Sequence, residues 1–247
     1  MTGTQQGRIA LVTGSGRGIG RAIARRLAAD GATVAVNYSR SAEAAQATVD
    51  EIKAAGGNAF AIAGDMSDLD QIERLMSELA ERVPQLDILV NNAGIGMKMT
   101  KLTETTPEDF DRLFALNTRG LFFTTKHALA LMRDGGRIVN FSSTGAAARI
   151  SGLSVYSGSK AAVDAFTRVW ATELASRKIT VNSVQPGMVD TDLISSNMPA
   201  GAMAAAIAHH PYKRVGEPED IADVVSFLCG SDARWITGQV IVVNGGA

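Results

Sequence analysis

Short apolar runs alternate along the chain with longer segments of helical periodicity. The runs are rich in Val and Ile, and they are apolar at successive positions rather than at every second one. Because neighbouring side chains of a strand point to opposite faces, such runs are typical of parallel strands that are covered on both sides. Strands are predicted at residues 8–13, 33–38, 59–63, 87–91, 137–142, 179–184 and 239–243.

Between these runs, apolar residues recur at the spacing of a helix. Ile19, Ile23 and Leu27 share one helical face, and Gly31 follows as a stop signal. The alternation of strands and helices predicts an α/β protein, a single-domain doubly wound Rossmann fold with a seven-stranded parallel sheet and helices on both faces. Further helices are predicted at residues 42–55, 68–82, 107–131, 155–176 and 218–228.

The whole chain, residues 1–247, is predicted to form one domain, because no linker, repeat or charge run divides the pattern. Its least regular part is the stretch 187–216, which contains several Gly and Pro residues and follows the sixth predicted strand. Parallel sheets of this kind bind ligands at the carboxyl ends of their strands. We therefore expect a substrate lid at about 187–216.

Composition narrows the classes of function. Hydrophobic residues make up 46% of the chain and the net charge is −1, so there is no general field for nucleic acid or an anionic membrane. The single cysteine, Cys229, excludes an intramolecular disulfide and is expected to be buried. No run approaches the ~20 apolar residues of a membrane span, and no His/Cys/Asp cluster has metal-ligand spacing. We expect a cytoplasmic protein that acts on a small molecule and holds no metal.

A glycine-rich segment joins the first predicted strand to the first helix. Residues 13–20 read Thr-Gly-Ser-Gly-Arg-Gly-Ile-Gly. The glycines permit a tight turn and a close approach of the backbone to a pyrophosphate, and the helix N-terminus adds free N–H groups. Since the segment lies between a strand and a helix near the start of the chain, it predicts a dinucleotide site.

The end of the second predicted strand indicates which dinucleotide is bound. Residues 36–41 read Val-Asn-Tyr-Ser-Arg-Ser and lack the acid that binds the ribose 2′-hydroxyl of NAD. Arg40, with the hydroxyls of Ser39 and Ser41, suits a 2′-phosphate instead. Arg17 in the glycine turn reaches the same region, and two guanidinium groups near one phosphate favour NADPH.

Tyr156 and Lys160 are four residues apart and therefore share one helical face. A phenol titrates near ~10, which is too high for acid–base work at neutral pH, but a neighbouring ammonium lowers that value. The tyrosine then exchanges a proton with a carbonyl or alcohol oxygen. The fifth strand ends just upstream at Ser142 and Ser143, which point to opposite faces, so that one of the two hydroxyls faces the site.

Together these motifs resemble the short-chain dehydrogenase/reductase family over essentially the whole chain. Residues 13–20 match its glycine motif, the Asn-Asn-Ala-Gly of residues 91–94 matches a second signature, and the Pro-Gly of residues 186–187 matches the turn beside the nicotinamide. The catalytic serine, thirteen residues before the tyrosine, matches Ser143 rather than Ser142. The family's helix asparagine matches Asn117.

The resemblance implies a mechanism. Ser143 holds the carbonyl oxygen, and Tyr156 supplies the proton. Lys160 lowers the pKa of the tyrosine and binds the nicotinamide ribose, while Asn117 holds a water that relays protons. The cofactor contacts expected from the motifs and the resemblance are Gly14, Ser15, Arg17, Gly18, Ile19, Gly20, Asn37, Tyr38, Ser39, Arg40, Ser41, Asp65, Met66, Asn92, Ala93, Gly94, Tyr156, Lys160, Pro186, Gly187, Val189 and Thr191.

The resemblance bears on substrate as well. Family members with a similar second strand reduce polycyclic aromatic ketones or 3-oxoacyl thioesters on acyl carrier protein. The carrier-protein reductases dock through two arginines; Arg177 matches one, but Asp134 stands near the other and would repel an acidic carrier. The substrate is expected to meet an apolar wall that includes Met97, Met99, Ile150, Leu153, Met188, Leu193, Met198 and Met203.

The predicted function is that of an NADPH-dependent oxidoreductase that reduces a ketone or 3-oxo compound reversibly to a secondary alcohol. The alternatives are a 3-oxoacyl-[acyl carrier protein] reductase, an NAD-dependent alcohol dehydrogenase and a non-catalytic nucleotide-binding module. The resemblance also implies a homotetramer that pairs through the helices at 107–131 and 155–176 and through the C-terminal strand.

Overall fold

All strands of the described chain join one parallel sheet. The structure, a computed structural model, describes residues 5–96, 98–191 and 201–247. Its strands are β1 (Ile9–Val12), β2 (Thr33–Tyr38), β3 (Asn58–Ala63), β4 (Leu86–Asn91), β5 (Met132–Phe141), β6 (Thr180–Pro186) and β7 (Val240–Val243). The seven-stranded parallel sheet that the apolar runs predicted is thereby confirmed.

The strands lie in the order β3-β2-β1-β4-β5-β6-β7. The chain starts in the middle, moves to one edge, returns to the middle and then moves to the other edge. The direction therefore reverses between β1 and β4, whose residues Leu11 and Leu89 pair across the sheet. Connections that leave neighbouring strands in opposite directions open a crevice at their carboxyl ends, which is where doubly wound sheets bind ligands.

Helices cover both faces of this sheet. They are α1 (Gly18–Ala29), α2 (Ala42–Ala54), α3 (Leu69–Arg82), α4 (Pro107–Phe114), α5 (Leu121–Ala128), α6 (Ser154–Glu173), α7 (Ala202–His209) and α8 (Pro218–Cys229). Ala10 and Val12 pack in the layer of α1, α2 and α8, whereas Leu11 between them packs in the layer of α3, α5 and α6. Burial on both faces explains why the strand sequence is apolar at successive positions.

The predicted helix at 107–131 is interrupted in the structure. A π-helical segment, Ala115–Gly120, separates α4 from α5 and contains Asn117. At its end, the carbonyl oxygen of Met66 comes so close to Gly120 that a Cβ there would overlap it. Single π turns inside helices occur mostly at functional sites. The pattern of apolar residues did not indicate this interruption, and the close approach of Met66, which belongs to a distant segment of the chain, appears only in the folded structure.

The lid predicted at about 187–216 lies only partly within the described residues, since residues 192–200 fall outside them. Its described ends flank the sheet: Val189 forms a parallel bridge with Gly216, and α7 lies between them in the chain. Cys229 is buried at the end of α8, and burial raises the pKa of its thiol to about 12. No helix within the described ranges is long and apolar enough to cross a membrane.

An added methyl group is expected to have opposite effects on stability at two helical glycines. We expect Gly120→Ala to lower the free energy of unfolding by about 2 kcal/mol or more, because the Cβ meets the Met66 carbonyl oxygen. Gly158→Ala in α6 is the matched control. Its Cβ would lie 3.8 Å from the Phe114 ring, so we expect a gain of up to about 1 kcal/mol from helix propensity. Urea unfolding measures both, and equal effects would contradict the assignment.

Candidate active site

The glycine turn after β1 is anchored by a side chain from β2. The Asn37 Oδ1 atom accepts a hydrogen bond from the Gly14 N–H (3.0 Å), and its Nδ2 group donates to the Gly64 carbonyl (3.0 Å). Ser15 is buried as well, and its hydroxyl donates to the Val12 carbonyl (2.7 Å). Asn37 and Ser15 were expected to contact the cofactor. Both side chains are buried and shape the turn from behind, and a contact of these residues with the cofactor stays a prediction.

A second asparagine holds the turn from the β4 side. The Asn92 Nδ2 group donates to the carbonyls of Thr13 (2.9 Å) and Gly14 (3.1 Å), and the Ala93 N–H donates to the Thr13 hydroxyl (2.9 Å). A Cβ on Gly20 would lie 2.5 Å from that Nδ2 atom. The glycine at this position is therefore required by the close approach of α1 to the β4 loop.

The first turn of α1 provides the features that a pyrophosphate needs. Its N-cap residue, Arg17, makes no capping bond with its side chain, and the turn contains no acid. Gly18 has the left-handed φ of 53°, and a Cβ there would lie 3.5 Å from the Thr191 methyl group. Backbone N–H groups at the start of a helix bind anions well, so the residues present fit a dinucleotide phosphate.

The residues after β2 fit the rest of a phosphorylated ribose. Ser39, Arg40 and Ser41 are all exposed, and none is acidic. On the neighbouring β3 connection, the Asp65 carboxylate accepts from the backbone N–H (2.9 Å) and the hydroxyl (2.7 Å) of Ser67. Met66 was expected to contact the cofactor, but its side chain is buried and its sulfur accepts from the Thr124 hydroxyl. A contact of this residue with the cofactor stays a prediction.

The end of β5 distinguishes the two candidate serines. The hydroxyl of Ser142 is buried and donates to the Lys160 carbonyl (3.1 Å). Ser143 is half-buried, and its Oγ atom accepts from the Gly145 N–H (3.0 Å). A Cβ on Gly145 would lie 3.2 Å from this Oγ atom and 3.0 Å from the Tyr156 ring, so the two side chains meet at this glycine. Ser143 is thus the serine beside the tyrosine.

The pKa of Tyr156 differs from expectation. Burial raises it, and a hydrogen bond from the Ser143 hydroxyl opposes the rise in part. A lowered pKa was expected from Lys160, but the Lys160 Nζ atom donates to the Phe141 carbonyl (2.8 Å) and burial of the phenol dominates. The shift favours the protonated phenol, which is the form that a proton donor needs.

Lys160 and Asn117 complete the cluster. Lys160 is buried, and burial lowers the pKa of its ammonium to about 8, with Asp164 opposing the shift. The Asn117 side chain forms two hydrogen bonds with the backbone of Ile95. The Ile95 N–H donates to Oδ1 (2.9 Å), and the Ile95 carbonyl accepts from Nδ2 (3.0 Å). A Cβ on Gly94 would lie 3.2 Å from Asn117 Oδ1 and 3.3 Å from Lys160 Nζ, so this glycine lies between them.

The segment that leaves β6 borders the same crevice. The Gly187 N–H donates to the Val243 carbonyl (3.0 Å), and a Cβ on Gly187 would lie 2.7 Å from the Asn244 Cβ atom. The Asn244 carbonyl in turn contacts His210 Nε2 (2.9 Å). Sequence reasoning missed Asn244, since only the folded chain brings the C-terminal segment to Pro186 and Gly187.

The expected substrate wall is described in part. The Thr100 N–H donates to the Gly152 carbonyl (3.0 Å), which joins the two segments that carry Met99 and Ile150. These two side chains are 57% and 50% exposed, so they form an apolar surface open to a ligand. Met97, Leu193 and Met198 lie outside the described residues. Across the ranges 5–96, 98–191 and 201–247, no three His, Cys, Asp or Glu side chains converge on one metal position.

The comparisons with known proteins agree with this geometry. A family model described as enoyl-(acyl carrier protein) reductase matches residues 14–247. A solved short-chain dehydrogenase/reductase from Serratia marcescens superposes with a TM-score of 0.92 at 39% identity, covering 98% of both chains. The chain belongs to the short-chain dehydrogenase/reductase family.

Other members of this family share more of the sequence. The versicolorin reductase stcU of Emericella nidulans is 45% identical over 253 residues, which cover 98% of this chain and 96% of the relative. The structure of the angucycline C-6 ketoreductase LanV, with bound NADP, has a TM-score of 0.93 at 41% identity and covers 100% of this chain and 97% of its own. The relatives include ketoreductases, which supports carbonyl reduction by an oxidoreductase of this family.

The buried Lys160 predicts how stability depends on pH. Its pKa is about 8 in the folded chain and near 10.5 when exposed. Below pH 8 both states are protonated and the folded state bears the full cost of burying the charge; between 8 and 10.5 only the unfolded state is protonated, so that cost declines. We expect the unfolding free energy of Lys160→Met minus that of wild type to be more positive at pH 7 than at pH 10, whichever variant is the more stable. The exposed Lys53→Met should show no such trend, and a pH-independent difference for Lys160→Met would contradict the burial argument.

Proposed function

We propose that this chain is an NADPH-dependent oxidoreductase that reduces a ketone or 3-oxo carbonyl to a secondary alcohol, reversibly. One observation carries the proposal: the side chains of Ser143 and Tyr156 meet at Gly145 just after β5, and the buried Lys160 follows Tyr156 by one turn of α6. Hydroxyl donors beside a buried cation, at the carboxyl edge of a doubly wound sheet, suit the transfer of a proton to a carbonyl oxygen.

The proposed cofactor is NADPH. When bound, it supplies the hydride. The N–H groups at the start of α1 would hold the pyrophosphate, and Arg17 and Arg40 with the hydroxyls of Ser39 and Ser41 would hold the 2′-phosphate. Support comes from the absence of an acid between β2 and α2 and from the NADP bound to LanV.

The proposed mechanism assigns one task to each residue. The Ser143 oxygen accepts from the Gly145 N–H, and its hydroxyl proton, directed to the Tyr156 phenol in this structure, is donated to the carbonyl oxygen of the substrate instead. Tyr156 gives its phenolic proton to the same oxygen as the alcohol forms. The Lys160 ammonium then stabilises the phenolate that remains, and it donates to the ribose hydroxyls. Asn117 is proposed to hold a relay water, and its place across Gly94 from Lys160 supports this.

The proposed substrate is an apolar cyclic ketone rather than a carrier-bound thioester. The names of the versicolorin and angucycline reductases support a polycyclic ketone, as does the apolar surface of Met99 and Ile150. The carrier alternative is disfavoured because Arg177 is occupied: its Nε atom donates to the Asp134 carboxylate (2.9 Å) and its Nη1 atom to the Leu129 carbonyl (3.1 Å). An arginine paired in this way presents little net charge to an acidic partner.

The test is NADPH oxidation at neutral pH across aryl ketones, cyclic diketones, 3-oxoesters and 3-oxoacyl thioesters. We expect turnover with NADPH, fastest for the cyclic ketones. Tyr156→Phe should bind NADPH as wild type does and lose about 10²–10⁴-fold in turnover, because the proton donor is gone. Normal turnover by Tyr156→Phe, or NADPH binding without any turnover by wild type, would refute the assignment.

The preference for NADPH over NADH is tested at the residues that follow β2. We expect Arg40→Asp to weaken NADPH binding about 10–100-fold and to leave NADH binding nearly unchanged, since only NADPH carries the 2′-phosphate. Arg234→Asp makes the same charge change at an exposed site remote from the crevice and controls for net charge. Titration of cofactor fluorescence measures all four affinities. An equal loss for both cofactors would place the phosphate elsewhere.

A further inference from the structure

A third ionisable residue continues the line of Tyr156 and Lys160 along α6. Asp164 follows Lys160 by four residues, so the three share the helix face that packs on the sheet. Asp164 is only 6% exposed. Carboxylates are almost never buried to this degree without a compensating partner, and the mechanism proposed above does not use this one.

Both oxygens of Asp164 are bound by neutral donors from β6. Oδ1 accepts from the Ser183 hydroxyl (2.9 Å) and Oδ2 from the Gln185 Nε2 group (2.7 Å). Within the described ranges, no Lys or Arg forms an ion pair with this carboxylate. The two hydrogen bonds fix its position but leave its negative charge without a direct counter-ion.

Lys160 has the complementary environment. Its ammonium meets the Phe141 carbonyl from β5, while Asn117 faces it from the π-helical segment across Gly94. All of these partners are neutral, as is the protonated Tyr156 on its own helix. Burial favours loss of the ammonium proton, and Asp164 is the charged group that opposes it. Lys160 and Asp164 thus lie one helical turn apart in the same buried layer, and Asp164 is the acidic side chain that opposes the effect of burial on Lys160.

We propose that Asp164 is a positioning residue whose buried carboxylate keeps Lys160 charged at neutral pH. Its catalytic consequence rests on the proposed function: a charged Lys160 stabilises the phenolate of Tyr156, whereas a neutral amine does not. The clamp by Ser183 and Gln185 then serves to hold a charge at a set distance from Lys160. It ties that charge to β6, the strand that ends at the proposed nicotinamide side.

Asp164→Asn is the decisive variant. It keeps the size of the side chain and both hydrogen bonds, because the amide oxygen accepts from Gln185 and the amide nitrogen donates to the Ser183 hydroxyl, which accepts as well as donates. Only the charge is lost. Ser183→Ala is the matched control, since it removes one hydrogen bond and keeps the charge. Asp164→Ser, which also removes the charge, provides a second test should the asparagine variant fold poorly.

The direct readout is the titration of Lys160 itself, followed by NMR of protein labelled with ¹³C-lysine, without substrate or cofactor. The Lys160 signal is the one absent from Lys160→Arg. We expect a midpoint near pH 8 in wild type and in Ser183→Ala, and a midpoint about one unit lower or more in the variants without the carboxylate. An unchanged midpoint in Asp164→Asn or Asp164→Ser would overturn the proposal.

Activity separates this inference from the function on which its consequence rests. We expect the alkaline limb of kcat/KM for NADPH to move to lower pH in Asp164→Asn by the same interval as the NMR midpoint, so that activity lost at pH 7.5 returns at pH 6. A merely structural role would lower kcat/KM equally at every pH and leave both midpoints in place. A shifted NMR midpoint in a protein whose wild type reduces no carbonyl would refute the proposed function and leave the counter-charge role standing.

Discussion

Polar backbone groups that leave a buried sheet must still be hydrogen-bonded, and amide side chains meet this requirement along the carboxyl edge. Asn37 and Asn92 hold the glycine turn from the strands on either side, and Asn117 grips the loop after β4 through both polar groups of Ile95. Each bond is short-ranged and directional, so each loop has one position only. The crevice is therefore shaped from within the sheet, and its rim is left open for ligands.

The same edge contains buried ionisable side chains. In a part of the molecule with a purely structural role, such groups would only lower the stability of the fold. Lys160 and Asp164 lie in a layer otherwise packed with side chains such as Val163 and Trp170. Burial of an ion costs several kcal/mol unless a partner compensates for it. Natural chains accept such costs mainly where function requires a group with a displaced pKa. The stability lost there is supplied by the two apolar layers on either side of the sheet.

Features that follow from local pattern could be predicted from the sequence, whereas those that depend on distant partners could not. The strand at 33–38 coincides with β2, and the parallel sheet and the family followed from runs and motifs that stand together in the chain. The inward orientation of the Asn37 side chain could not be predicted, because its partners Gly14 and Gly64 are brought beside it only when three strands have paired. The close approach of Met66 to Gly120 likewise depends on a segment far away in the chain, and the raised pKa of Tyr156 depends on the burial of its ring.

The ion pair between Asp134 and Arg177 bears on how specificity diverges among such enzymes. It lies near the amino end of β6, far along the strand from the catalytic cluster. Arg177 is also anchored by the carbonyls of Leu129 and Met132 and would keep its place without the carboxylate. Replacing Asp134 by a neutral residue would therefore remove the negative charge paired with Arg177 and make this surface cationic. Such a change would alter the charge of this surface without touching the side chains at the carboxyl edge of the sheet.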